Sequence, residues 1–201
     1  MTHIVFNKLR LLLPLLAACL FFVACSPRGQ LSPSSIDLKG EKVANDFQLR
    51  DPDGKTRTMA DFRGKVVMLF FGYTQCPDVC PTALARAVAV KNKLAGDATE
   101  LQVIFVTVDP ERDTPEIMKS YTTAFDPSFI GLSGDMEMTR KTADAFRVFY
   151  QKVPTKSSYT MDHTAVTYLL DPKGEMRVAI KPDASADEIA HDVHFLLNDA
   201  T

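Results

Sequence analysis

Residues 64–81 read GKVVMLFFGYTQCPDVCP, and this stretch decides the fold. Val66 to Phe71 are consecutive apolar residues bounded by Gly64 and Gly72. So short a run, with no polar alternation, predicts a strand covered on both faces at the centre of a sheet. The chain then reaches Cys76 and Cys80 ahead of a helix placed from about Pro81, with Leu84, Val88 and Ala95 on one face. Both cysteines therefore fall at the carboxyl end of a buried strand, where open α/β sheets hold their ligands.

Outward from this centre the chain alternates strands and helices. Leu101 to Val108 (LQVIFVTV) is a second β-branched strand, ended by Asp109-Pro110. Thr114-Pro115-Glu116 has the form of an N-cap with proline at the first helical position, opening a helix to about Phe125. A further helix is expected over roughly Met136 to Tyr150. Thr164 to Leu170 and Glu175 to Ile180 flank the turn Asp171-Pro172-Lys173-Gly174 and predict a closing hairpin. An opening hairpin is expected around Asp51-Pro52-Asp53-Gly54, between Phe47/Leu49 and Thr56/Thr58. Ile189, Val193, Leu196 and Leu197 give a final amphipathic helix. This order predicts an α/β domain, a central mixed sheet with helices on both faces, which is thioredoxin-like architecture.

The 201 residues are 46% hydrophobic and 24% charged, enough for one domain of ordinary size with extras. The formal net charge is −2; the first 25 residues carry Lys8 and Arg10 and no acid, so the remainder has 21 basic against 25 acidic residues, or −4. That excludes nucleic acid as the main partner. With 9 Gly, 12 Pro and no internal repeat, collagen-like and solenoid architectures are excluded too.

The N-terminus reads as an address. After Lys8 and Arg10, LLLPLLAACLFFVAC runs apolar from Leu11 to Cys25, the pattern of an export signal. As a helix it would measure only about 22 Å, short of the roughly 30 Å hydrocarbon core. Phe22-Val23-Ala24-Cys25-Ser26 resembles the lipobox of bacterial lipoproteins and makes Cys25 the lipid anchor; Cys19 and an uncleaved anchor are the alternatives. Ser26 to Gly40 holds eight Ser, Pro or Gly in fifteen residues and reads as a flexible linker. The expected organisation is an export signal (1–25), a linker (26–40) and a folded domain (41–201) on the extracytoplasmic, periplasmic face of a bacterial membrane.

Cysteines four apart stack on one helical face, so both sulfurs can point at one object, whereas the three-apart CxxC of thioredoxins suits disulfide exchange. A helix N-terminus would lower the pKa of a thiol placed there. The plain alternative is a short structural disulfide or two buried thiols. His163, in YTMDHTA, stands just before the closing hairpin, where a thioredoxin-like fold normally carries a cis proline facing the cysteines. Two thiolates and an imidazole form a soft three-ligand set suited to copper, as Cu(I) or Cu(II), whereas zinc would normally demand four ligands. Asp162 is a candidate to orient the ring. His191 and His194 fall outside the apolar face of the last helix and read as solvated; Met136 and Met138 read as gap-fillers at a helix start.

TQCPDVCP, TVDPERDTPE and DHTA, with FQLRDPDG and DFRGKVVMLFFGY upstream, together resemble the Sco/SenC family of copper-binding cytochrome oxidase assembly proteins, over residues 45–197. The resemblance implies a thioredoxin fold and one copper ion per chain on Cys76, Cys80 and His163. It also implies delivery to, or thiol reduction at, the dinuclear copper (CuA) centre of a cytochrome c oxidase subunit. Many family members carry a membrane-spanning helix where this chain has a lipobox. Two function classes follow: a metallochaperone, and a membrane-anchored thiol–disulfide oxidoreductase using Cys76 and Cys80 as its redox pair. Either needs an upstream copper donor or thiol reductant, since the pair must be reduced before it binds metal.

Overall fold

The computed structural model describes residues 29–41 and 46–199. The chain divides after Gln30, and the fold is that of the unit beginning at Leu31. The expected export signal, with Cys19 and Cys25, lies outside the described residues.

The elements are β1 (Ser35–Asp37), β2 (Leu49–Arg50), β3 (Thr56–Arg57), β4 (Val66–Gly72), α1 (Val79–Leu94), β5 (Leu101–Thr107), α2 (Pro115–Phe125), β6 (Ile130–Leu132), α3 (Met136–Ala145), β7 (Tyr150–Pro154), β8 (Tyr159–His163), β9 (Thr167–Leu170), β10 (Met176–Ile180) and α4 (Ala186–Asp199). The main sheet has the order β1-β10-β9-β4-β5-β6. β5 runs parallel to β4 and β6 parallel to β5, while β9 runs antiparallel to β4 and begins the closing hairpin. Every residue of β4 is buried, as the unbroken apolar run requires.

Successive β4 side chains enter opposite cores. Phe70 stacks on Phe105 at 6.3 Å, and Phe105 meets Tyr121 of α2 at 5.4 Å, on the face that carries α1. Phe71 turns the other way onto Phe146, just beyond α3, at 5.5 Å; Phe146 also meets Phe47 and Tyr168. Helices therefore cover both faces of a mixed sheet. The Thr114 side chain caps α2 by accepting from the Ile117 N–H, with Pro115 at the first helical position, as expected.

Three expectations are corrected. The helix expected to run to Tyr150 stops at Ala145: Arg147 takes a left-handed backbone (φ 55°), and the Val148 N–H returns to the Ala143 carbonyl at 2.8 Å. The freed chain makes the β7–β8 hairpin, which pairs Tyr150 with His163. A short strand, β6, extends the sheet beyond β5. Finally, part of the expected linker is folded: β1 pairs with β10, and Ser32 and Ser35 are pinned to the buried carboxylate of Asp192. The Ser32 N–H and hydroxyl donate to it at 2.7 and 2.8 Å, and the Ser35 hydroxyl at 2.5 Å. Backbone pairing and serine hydroxyls hold this edge, so it needs no apolar periodicity.

Candidate metal centre

The turn after β4, closed by the Cys76 N–H on the Tyr73 carbonyl at 3.2 Å, leads both cysteines to the end of the sheet. Cys76 and Cys80 are buried and unbonded, and Cys80 sits in the first turn of α1. The Cys80 sulfur lies directly against β4, because Gly72 has no side chain to displace it. A Cβ there would stand 2.6 Å from that sulfur and 2.9 Å from the Phe105 ring. Gly72→Ala is therefore expected to push the sulfur out of place, weakening metal binding and costing roughly 1–3 kcal/mol of stability in urea titrations.

His163, the last residue of β8, brings Nε2 to 3.6 Å from the Cys80 sulfur. Its Nδ1 lies 3.0 Å from the Thr164 carbonyl. A carbonyl only accepts, so Nδ1 carries the proton and Nε2 turns its lone pair toward the cysteines. The orienting partner is thus the Thr164 carbonyl; Asp162, the expected candidate, is exposed and pairs with Gln151 across the hairpin. Phe70 and Tyr73 meet the imidazole edge to face at 6.0 and 5.9 Å and fix its plane. Burial holds the ring's pKa below that of a free histidine and keeps it neutral, as a ligand must be.

The expectation that the helix N-terminus lowers the thiol pKa is corrected for Cys80. Burial pushes that thiol well up and outweighs a hydrogen bond from the Tyr73 backbone, with the neighbouring Cys76 sulfur adding to the rise. Cys80 is therefore a protonated thiol whose proton is released to water as a metal takes its place on the sulfur.

Donor atoms of Cys76, Cys80 and His163 all lie within 4.8 Å of one another. A trigonal ion with metal–sulfur bonds of about 2.3 Å and metal–nitrogen bonds of about 2.0 Å needs a sulfur–nitrogen separation of about 3.7 Å. The observed 3.6 Å fits that requirement. Two soft sulfurs and one imidazole form a donor set matched to copper. Among the described residues no other group of three His, Cys, Asp or Glu gathers in this way. His191 is exposed, and His194 faces Asp97 at 3.4 Å, so neither joins the site. Met138 packs beside Gly134, while Met136 is exposed at the start of α3.

Around the ligands runs a polar clamp with no counterpart in the sequence reading, although its charged residues, Asp109, Arg112 and Asp113, lie in TVDPERDTPE. Buried Asp113 accepts from the Thr74 hydroxyl at 2.6 Å and the Thr107 hydroxyl at 2.5 Å, tying the cysteine loop to the end of β5. Burial raises the Asp113 pKa against the pull of these threonines. Arg112 pairs with buried Asp109, donates to the Tyr159 carbonyl at 2.9 Å and the Gln75 side chain at 3.2 Å, and stacks 3.7 Å over the Tyr159 ring. Tyr159 donates to Asp109 at 2.8 Å, and the Tyr73 hydroxyl meets that of Thr160 at 2.8 Å. The clamp thus joins the cysteine loop to the strand that carries His163. An Asp-Arg-Asp cluster in the loop beyond a second parallel strand was the signal available for it.

The SCO1/SenC family model matches residues 37–198. The chain belongs to the SCO1/SenC family. This SCO1/SenC domain is 35% identical over 151 residues to the SCO2-like protein of Rickettsia felis, covering 74% of each chain. It is 39% identical over 152 residues to the mitochondrial SCO2 homologue of Bos taurus, covering 74% of this chain and 57% of that one. The structure of ScoI from Bradyrhizobium japonicum, with copper bound, is 44% identical with a TM-score of 0.71, covering 77% of this chain and 99% of that one. The fold is shared with that ScoI structure and is the thioredoxin-like mixed sheet expected here.

Proposed function

We propose that this protein is an extracytoplasmic copper metallochaperone that carries one copper ion on Cys76, Cys80 and His163 and delivers it to the CuA centre of cytochrome c oxidase. The observation that carries this reading is the convergence of two sulfurs and a lone-pair imidazole nitrogen within 4.8 Å. Copper in the ScoI structure from Bradyrhizobium japonicum supports the choice of metal. The lipobox supports anchoring through Cys25 at the periplasmic face of a bacterial membrane, and among the described residues no helix is long and apolar enough to cross one. The reduced pair needs an upstream copper donor or thiol reductant.

A second reading, a thiol–disulfide reductase acting on a copper-site protein, is favoured by the free, adjacent state of Cys76 and Cys80. It needs no imidazole, whereas His163 is held with Nε2 toward the sulfurs. Titration of the reduced domain from Leu31 onward with copper is expected to saturate at one ion per chain, with thiolate-to-Cu(II) charge-transfer absorption. Failure to saturate at one ion per chain, or a wild-type-like spectrum from the Cys76→Ser, Cys80→Ser double variant, overturns the copper assignment.

A further inference from the structure

We propose that the metal-bearing end of the domain is held facing the membrane, so that copper passes to a protein whose own metal site is presented at that surface. This rests on the anchored-chaperone reading and adds to it an orientation and a class of partner.

The strand register fixes where the tether joins. Ser35 pairs with Ile180, Ile180 with Thr167, Thr167 with Phe70, and Phe70 with Phe105. This row crosses the sheet immediately beneath the site: Phe70 touches the His163 ring, and Gly72 lies against the Cys80 sulfur. β1 then runs away from that end, so the chain preceding Ser35 arrives at the metal-bearing end. It arrives clamped. Ser32 and Ser35 are bound to Asp192, the Ser34 hydroxyl donates to Glu188 at 2.6 Å, and the Lys181 N–H donates to the Ser34 carbonyl at 3.1 Å. From Cys25 to Ser32 the chain can span at most about 25 Å. A β4-length sheet is about 23 Å long, so the far end stands well beyond the near one.

A second observation is independent of the tether. Of the five exposed large apolar side chains among the described residues, four stand at this end: Val79 beside Cys80, Ile117 and Met136 in the first turns of α2 and α3, and Phe149 beside Thr164. The fifth, Ile36, is on β1 itself. Phe149 is 60% exposed, yet its backbone is bonded to Thr164, the residue after His163. An apolar rim around a cargo site is suited to docking against a protein surface. Asp78, Glu116, Glu137 and Asp162, all exposed at this end, outnumber the exposed Lys181 that follows β10 there; this acidic balance disfavours burial among anionic headgroups and favours a protein partner over the bilayer itself.

The chain has no tryptophan, so single probes can be introduced. The full chain, purified from membranes into lipid nanodiscs with dansyl-labelled headgroups, is compared as Phe149→Trp at the metal-bearing end and Lys173→Trp in the β9–β10 turn at the other. Energy transfer to the lipid is expected to be several-fold stronger from Phe149→Trp. Equal or reversed transfer with the chain still on the discs overturns the orientation alone. A chain that stays off the discs overturns the anchored reading and the orientation with it. Apolar contact with lipid, rather than a protein partner, would show as a blue-shifted Phe149→Trp emission on discs without any oxidase, and overturns the partner assignment. A rigid helical spacer of about 30 Å placed between Gln30 and Leu31 is expected to cut copper transfer to membrane-borne oxidase at least several-fold without changing copper binding; unchanged transfer also overturns the proposal.

Discussion

Replacing His163 by alanine is expected to lower copper affinity by at least about 10–100-fold while leaving disulfide formation between Cys76 and Cys80 intact. Changing residues that merely support a ligand typically costs that much, so removing the ligand itself costs no less. The ring donates one nitrogen to the metal and touches the fold through Phe70, Tyr73 and the Thr164 carbonyl. Alanine removes these contacts but neither sulfur. Competition titration against a copper chelator and thiol trapping of the purified variant measure the two effects separately. In cells the chaperone reading predicts lost oxidase assembly under limiting copper, partly restored by added copper. A variant at normal protein levels that assembles oxidase as wild type does would favour the reductase reading.

The parts of this site that were legible in the sequence are those whose signal is local. The apolar run before Cys76 reads as a buried strand and is one, whereas the expected stacking of both cysteines on one helical face is corrected: Cys76 lies in the turn ahead of α1 and only Cys80 is helical, the turn rather than the helix bringing the sulfurs together. His163 was legible by its position ahead of the closing hairpin. The β7–β8 hairpin was not, because Tyr150–Pro154 is exposed or half-exposed along its whole length and shows neither an apolar run nor a clean alternation. β1 escaped for a related reason: Ser35–Asp37 is held by backbone pairing and by Asp192, which is 157 residues from Ser35 in the chain. The Cys80 thiol was misjudged because the helix-terminus effect was visible in the sequence and the depth of burial was not. The expected Asp162–His163 contact failed because neighbours on a strand point to opposite faces.

Arg112→Ala is expected to loosen the cysteine loop from β8 and to destabilise the domain by about 3–5 kcal/mol, the usual cost of leaving a buried partner charge uncompensated. Asp109 is 1% exposed, and its carboxylate would be left with the Tyr159 hydroxyl. The same substitution also removes the guanidinium that spans Gln75, one residue before Cys76, and the Tyr159 carbonyl, at the start of the strand ending in His163. Copper affinity is therefore expected to fall further than stability alone explains, because the three ligands would no longer be held at their common spacing. Arg112→Lys separates the two effects. Lysine restores a positive charge beside Asp109 but cannot fork to two further acceptors or stack flat on Tyr159, so it is expected to recover most of the stability and little of the affinity. Urea denaturation and copper competition on both variants test this, with the charge-transfer band reporting ligand geometry. If Arg112→Ala keeps wild-type copper affinity once its folded fraction is accounted for, the clamp supports the fold alone and has no part in presetting the metal site.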